Sequence, residues 1–311
     1  MSNETNRLQL SGGQQRRAAR ERLYRWVLFL CASLTVVVTL GIVLALTVDA
    51  VAFFGMVDPV SFFTGTTWIT DRGQFGVLPL VTGTLLVTAG AAVVAIPVGV
   101  AAAVYLSEYA SRRARSVLKP GLEILAGIPT VVYGYLALVY LTPFLRTLGF
   151  DLGTFNVASA AIMVGIMIIP MVSSLSEDAM SAVPDALRQA GYALGATKYE
   201  VSTGVVVPAA VSGIFASFIL ALSRAIGETM IVVMAMGLRP RLFDLTDPLS
   251  SLSESGQTMT SAMVQAVTSD VSAASPTYRS MFALGLTLFA ITFLMNYLSN
   301  LISARYREEY R

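Results

Sequence analysis

Arg224 and Glu228 are the only charged residues lying well inside a long apolar stretch of this 311-residue chain. At i,i+4 on a helix they share one face and can pair. Each would cost about 2.5–3.5 kcal/mol at the centre of a bilayer, so the pair is expected to face the interior of a helix bundle. An arginine keeps its charge in any site, and its planar fork matches the oxygens of an oxyanion. The pair therefore suits a path for an anion, with Glu228 holding Arg224 when the path is empty. Thr229 and Ser223 would add hydroxyl donors. A purely structural ion pair is the competing reading. The chain has no histidine and one cysteine, Cys31. That excludes an intrachain disulfide, a histidine base and a cysteine-cluster metal site. No catalytic residue, metal or cofactor is expected, and the chain is read as non-enzymatic.

The elements that must position these residues are membrane helices. Charged residues make up 13% of the chain, against about 25% for soluble domains. A bilayer core needs about 20 apolar residues of helix. Six stretches qualify: Trp26–Val48, Gly73–Ser107, Ile124–Leu145, Leu152–Ser176, Val201–Gly237 and Ser280–Ala304. The first is too long for a signal-peptide core of about 7–15 residues and reads as an uncleaved anchor. The fold class is all-α polytopic with six transmembrane helices. Residues 1–25 form a basic tail expected to be disordered, 26–304 the membrane domain, and 305–311 a second tail. Arginine and lysine cluster in residues 7–25, 112–119, 188–198 and 305–311. Only Arg72, Arg146, Arg239, Arg241 and Arg279 lie on the other side. The positive-inside rule then places both termini in the cytoplasm, in the plasma membrane. The Ser/Thr-rich segment 238–279 becomes an extracytoplasmic loop, and 177–204 a cytoplasmic one.

That cytoplasmic loop carries a pattern. Leu187, Ala190, Gly191 and Leu194 recur at helical spacing, which predicts a helix over Val183–Leu194. Gly195 supplies its stop, and a second helical stretch starts at Lys198, with Pro208 near the next span. Two short helices at an angle make a knob, and Ala190 and Gly191 would let another surface approach closely. The run Gln189-Ala190-Gly191, three residues, Gly195, nine residues, then Val205-Val206-Val207-Pro208 resembles the EAA motif of ABC importer permeases. Both gaps match, whereas Gln189 and Gly191 replace the motif's Glu and second Ala. The resemblance implies the type I importer permease fold. It also implies that Gln189, Ala190, Gly191, Gly195 and Pro208 belong to a coupling loop seated on a separate ATPase.

Two further stretches, Ala126–Gly134 and Arg224–Met230, look like the phosphate-specific permeases of the PstC type. The resemblance covers about residues 76–303. It implies import of inorganic phosphate, with Arg224, Glu228 and Thr229 in the substrate pathway. The implied partners are a second, PstA-like permease, two ATPase subunits, an extracytoplasmic phosphate-binding protein and membrane lipid. The same architecture serving molybdate, sulfate or an organic solute is the first alternative, and a stand-alone secondary transporter the second. Leu10–Gln15 mimics an ATPase signature, but no G-x-x-x-x-G-K-[ST] loop accompanies it. The chain is therefore not expected to hydrolyse ATP itself.

Overall fold

The computed structural model describes the backbone of residues 2–244 and 246–305, and the side chains of residues 20–244, 246–247, 250–298 and 301. The first helix, α1, spans Ser2–Phe54. The basic tail, expected to be disordered, is helical and continuous with the first span; its side chains before residue 20, including those of Leu10–Gln15, lie outside the described residues. Next come α2 (Pro59–Thr64) and a two-stranded ribbon of β1 (Trp68–Ile69) and β2 (Gln74–Phe75). The second long helix, α3 (Leu78–Val104), runs into a wide turn over Tyr105–Tyr109. It is followed by α4 (Arg112–Gly127), α5 (Thr130–Leu136) and α6 (Thr142–Thr147). The third long helix is α7 (Val157–Ser181). The knob comprises α8 (Asp185–Ala193) and α9 (Lys198–Val201), and it leads through α10 (Val207–Ala209) into α11 (Val211–Ile226). The chain ends with α12 (Met230–Ala235), α13 (Pro248–Leu252), α14 (Met259–Thr268) and α15 (Pro276–Arg305).

Four helices are long and apolar enough to cross a membrane, and six spans result if each of two bent pairs counts as one. The first bend corrects the expected span Ile124–Leu145. α4 meets α5 at 88°. Pro129 disfavours helical geometry at the residue before it, and Ile128 is extended at φ −67° and ψ 129°. The pair is thus broken at Ile128–Pro129, and its second arm, residues 130–147, is about 27 Å long at 1.5 Å per residue. α4 instead runs crosswise, none of its residues buried. The second bend, 67°, falls at Ala210 just after Pro208. It separates the knob's exit from α11.

The central contact is α3 against α7. Small residues let the two backbones approach, as membrane helices require when lipid supplies no hydrophobic drive. A Cβ on Gly99 would stand 2.7 Å from Val172, and one on Gly165 2.8 Å from Val94. The central core adds Tyr133, Ala221, Ile231 and Met236 to these helices. α1 lies at the periphery along α15, with its lipid-length surface exposed.

At the end opposite the knob, Phe53, Phe62, Trp68 and Phe75 form an aromatic cap over the start of α3. Asp58 caps α2 there; the amide and then the hydroxyl of Ser61 donate to its carboxylate and hold its pKa below the ordinary aspartate value. The segment 238–279 is more than a surface loop. Gln257, Thr258, Met259 and Ser261 are buried. Backbone oxygen of Gln257 approaches so near Gly83 that a Cβ there would sit 2.4 Å away, and the amide of Met259 donates to Thr84 Oγ1 at 3.1 Å.

Candidate functional site

α11 ends at Ile226 and α12 starts at Met230, with Gly227 at the break. This break undoes the expected i,i+4 pairing, because Arg224 and Glu228 no longer share one helix. Among the described residues no ion pair joins them. Glu228 is buried and turns Oε1 to the amides of Met230 (3.0 Å) and Ile231 (3.2 Å). Its own carbonyl accepts from Thr260 Oγ1 at 2.9 Å. Thr229 donates to the carbonyl of Gly227 at 3.3 Å, and Ser223 to Asn296 on α15 at 3.2 Å. Glu228 and Thr229 therefore build the break itself, and among the described residues no hydrogen bond or ion pair engages the exposed side chain of Arg224.

Arg224 opens into a cavity of about 460 Å³ between α4, α7 and α11. Met167 and Pro170 line it beside Arg224, and Lys119, Glu123 and Glu177 supply its other charges. Arg224 lies 13 residues into α11, about 20 Å from the knob end, whereas Glu177 lies about 6 Å from the knob end of α7. The cavity thus runs from mid-depth toward the knob. Glu177 is buried, with its side chain 1% exposed, and pairs with Arg115 and, at 3.3 Å, with Lys119. In the sequence Arg115 and Lys119 are orientation charges, and nothing there singles out Glu177. The residue types are visible in the sequence, an acidic residue closing an apolar helix and two cations one turn apart on α4, but nothing in it joins them.

The knob follows the expected geometry closely. α8 ends in a left-handed residue, Gly195 at φ +82°. The amide of Ala196 donates to Gly191 O and that of Gly195 to Tyr192 O, the paired bonds of a Schellman stop. Thr197 and Glu200 then form a capping box that starts α9. Gln189 and Ala190 are exposed. Gly191 serves a neighbour within the chain: a Cβ there would stand 2.9 Å from Val201. Its small size closes α8 onto α9. Leu194 is 90% exposed and Tyr199 69% exposed, an apolar tip unlike the buried face behind it.

Arg188 fastens the knob to the bundle. It donates to the carbonyls of Met180 (2.8 Å) and Val183 (2.6 Å) at the end of α7, and pairs with Glu108 at 3.2 Å in the turn after α3. Glu108 lies close in sequence to Arg112, Arg113 and Arg115, yet its described ion-pair partner is this knob residue. Lys198 adds a second tie, 5.1 Å from the Tyr109 ring. Arg188→Ala is expected to loosen α8 by about 1–3 kcal/mol, the cost of stranding buried acceptors. Hydrogen exchange at α8 amides reads this directly, and unchanged protection would show that Arg188 is dispensable.

Comparison with known proteins agrees with this arrangement. The sequence profile of the family described as "Binding-protein-dependent transport system inner membrane component" matches residues 95–308. The chain is 34% identical over 232 residues to the probable ABC transporter permease protein YqgH of Bacillus subtilis, covering 73% of this chain and 75% of that one. It is 33% identical over 268 residues to the phosphate transport system permease protein PstC of Mesorhizobium japonicum, covering 79% and 78%. It is also 33% identical over 299 residues to the phosphate transport system permease protein PstC 2 of Mycobacterium tuberculosis, covering 89% of each. In fold it resembles an inward-facing structure of the MetNI methionine ABC transporter, with a TM-score of 0.54 at 17% identity over 78% of this chain and 98% of that one. With its bent spans, its knob and a profile match over more than half its length, the chain belongs to the family of binding-protein-dependent transport system inner membrane components.

Proposed function

We propose that this chain is the membrane-spanning permease subunit of an ATP-driven importer that carries inorganic phosphate into the cytoplasm. The observation that carries the reading is Arg224, a permanent cation facing a cavity at mid-depth that extends toward the knob. Relatives named as phosphate transport permeases support the substrate class. Arg224 is the pathway residue; Glu228 and Thr229 shape the helix break that presents it.

In this reading both termini and the knob face the cytoplasm. Leu194 and Tyr199, exposed at the tip, are covered by an ATPase subunit, with Gln189, Ala190 and Gly195 forming the seat, Gly191 closing α8 onto α9 behind it and Pro208 setting the exit angle. Closure of two ATPase subunits moves the knob, and the ties through Arg188 pass that motion to α3 and α7. A second, PstA-like permease completes the pathway, and a phosphate-binding protein docks on the opposite face.

The test is uptake of radiolabelled phosphate into vesicles holding this chain with its second permease, ATPase and binding protein. ATP-dependent accumulation that excess sulfate or molybdate leaves unchanged is the expected result. Uptake of another solute would keep the importer and discard phosphate. Accumulation without any ATPase would overturn the importer.

A further inference from the structure

Glu177 and its two cations form a latch at the inner end of the cavity. α4 has no buried residue, so apolar burial holds it weakly. At its α5 end Leu125 packs on the central core and accepts from the Tyr133 hydroxyl; farther along α4 the described ties to the bundle run through Arg115 and Lys119, which reach Glu177 on α7. The two cations meet different carboxylate oxygens, Arg115 at Oε1 and Lys119 at Oε2. Such a cradle accepts any oxyanion able to present two oxygens. Lys119 and Glu177 also line the cavity that Arg224 opens into. Lys119 and Arg224 face Glu177 and Glu123 in equal number within it, so displacing Glu177 is what frees the positive charge of Lys119 and Arg115 for an anion.

We propose that Glu177 is an exchangeable occupant of an oxyanion site on α4, and that an anion leaving Arg224 displaces it. The incoming oxyanion takes the oxygen positions that Glu177 holds on Arg115 and Lys119. α4 then parts from α7, and the inner mouth of the cavity opens. With the site empty, Glu177 returns and the mouth closes. The identity of the anion as phosphate rests on the function proposed above; the latch itself does not.

Two spin labels read the latch without transport. Ser116 on α4 and Asp178 on α7 are exposed; each is changed to cysteine in a chain whose free Cys31 is replaced by serine. The α4–α7 distance is measured in the assembled transporter in nanodiscs, without nucleotide. The expected results are a longer distance in Glu177→Gln than in the native chain, restoration in Glu177→Asp, and lengthening of the native distance by inorganic phosphate. Glu177→Gln should also raise nucleotide-independent phosphate leak by about tenfold, within the range of a single coupling between sites. The double variant Arg115→Gln/Lys119→Gln removes the other half and should open the same distance, which guards against a folding defect peculiar to Glu177. An unchanged distance in both variants overturns the latch. Opening in the variants with no response to any anion overturns the exchange. A response to sulfate or molybdate but not to phosphate upholds the latch and strikes the phosphate reading alone.

Discussion

Arg224→Gln is expected to lower phosphate uptake about 10–100-fold while the transporter still assembles. A hydrogen bond to a charged group is worth about 1.5–3 kcal/mol, and each 1.4 kcal/mol is a factor of about ten. Removing the guanidinium does not strand a carboxylate, because no described acidic residue pairs with Arg224, so the fold should tolerate the change. Arg224→Lys keeps the charge but loses the fork and should fall between the two. Glu228→Gln separates pathway from scaffold. Its carboxylate serves the first amides of α12, so its loss should cost stability of about 0.5–2 kcal/mol, as for a lost cap, rather than substrate affinity. The two effects should add, since no described hydrogen bond or ion pair joins the two residues. Uptake by Arg224→Gln at the native rate would remove Arg224 from the pathway; a strongly non-additive double variant would restore the ion pair that the helix break denies.

That contrast shows which parts of the molecule were legible in the sequence. The knob was, because every signal in it is local: Gly195 at a left-handed stop, Thr197 three residues before Glu200, and small residues at fixed gaps. The spans were legible as apolar runs, but their bends were less so. Ile128 precedes Pro129, and the rule for such residues places the break there; a run of apolar residues hides it. Gly227 likewise sits between Arg224 and Glu228, and reading them as an i,i+4 pair assumed a helix that glycine interrupts. The polar segment around Gln257–Ser261 reads as solvent-exposed by composition. It is buried because its hydroxyls satisfy one another and nearby amides, as in the bond of Thr258 Oγ1 with Thr260 Oγ1 at 3.0 Å. Glu177 was the least legible. Arg115 lies 62 residues from it in the chain, and no periodicity reports a contact made across two helices.

Gly195→Pro is expected to uncouple the transporter, with uptake falling at least about tenfold and membrane insertion unaffected. A Cβ at Gly195 would meet nothing within 4 Å, so the effect does not come from crowding. It comes from the backbone. Gly195 sits at φ +82°, whereas proline holds φ near about −65°. The substitution also removes the amide that donates to Tyr192 O at 3.0 Å. α8 could no longer stop where it does, the capping box at Thr197 would be misdirected, and Leu194 and Tyr199 would leave the surface they share. A graded series isolates this cause. Gly195→Asn should be nearly neutral, because asparagine tolerates the left-handed region. Gly195→Val should weaken the knob by about 1–2 kcal/mol, the usual penalty for a side chain in that region. Phosphate uptake and ATP hydrolysis stimulated by the binding protein are measured together across the series. Hydrolysis that persists while uptake declines progressively from the asparagine to the valine to the proline variant ties coupling to the φ of one residue. Native uptake in Gly195→Pro would show that the geometry of the knob does not transmit the ATPase stroke.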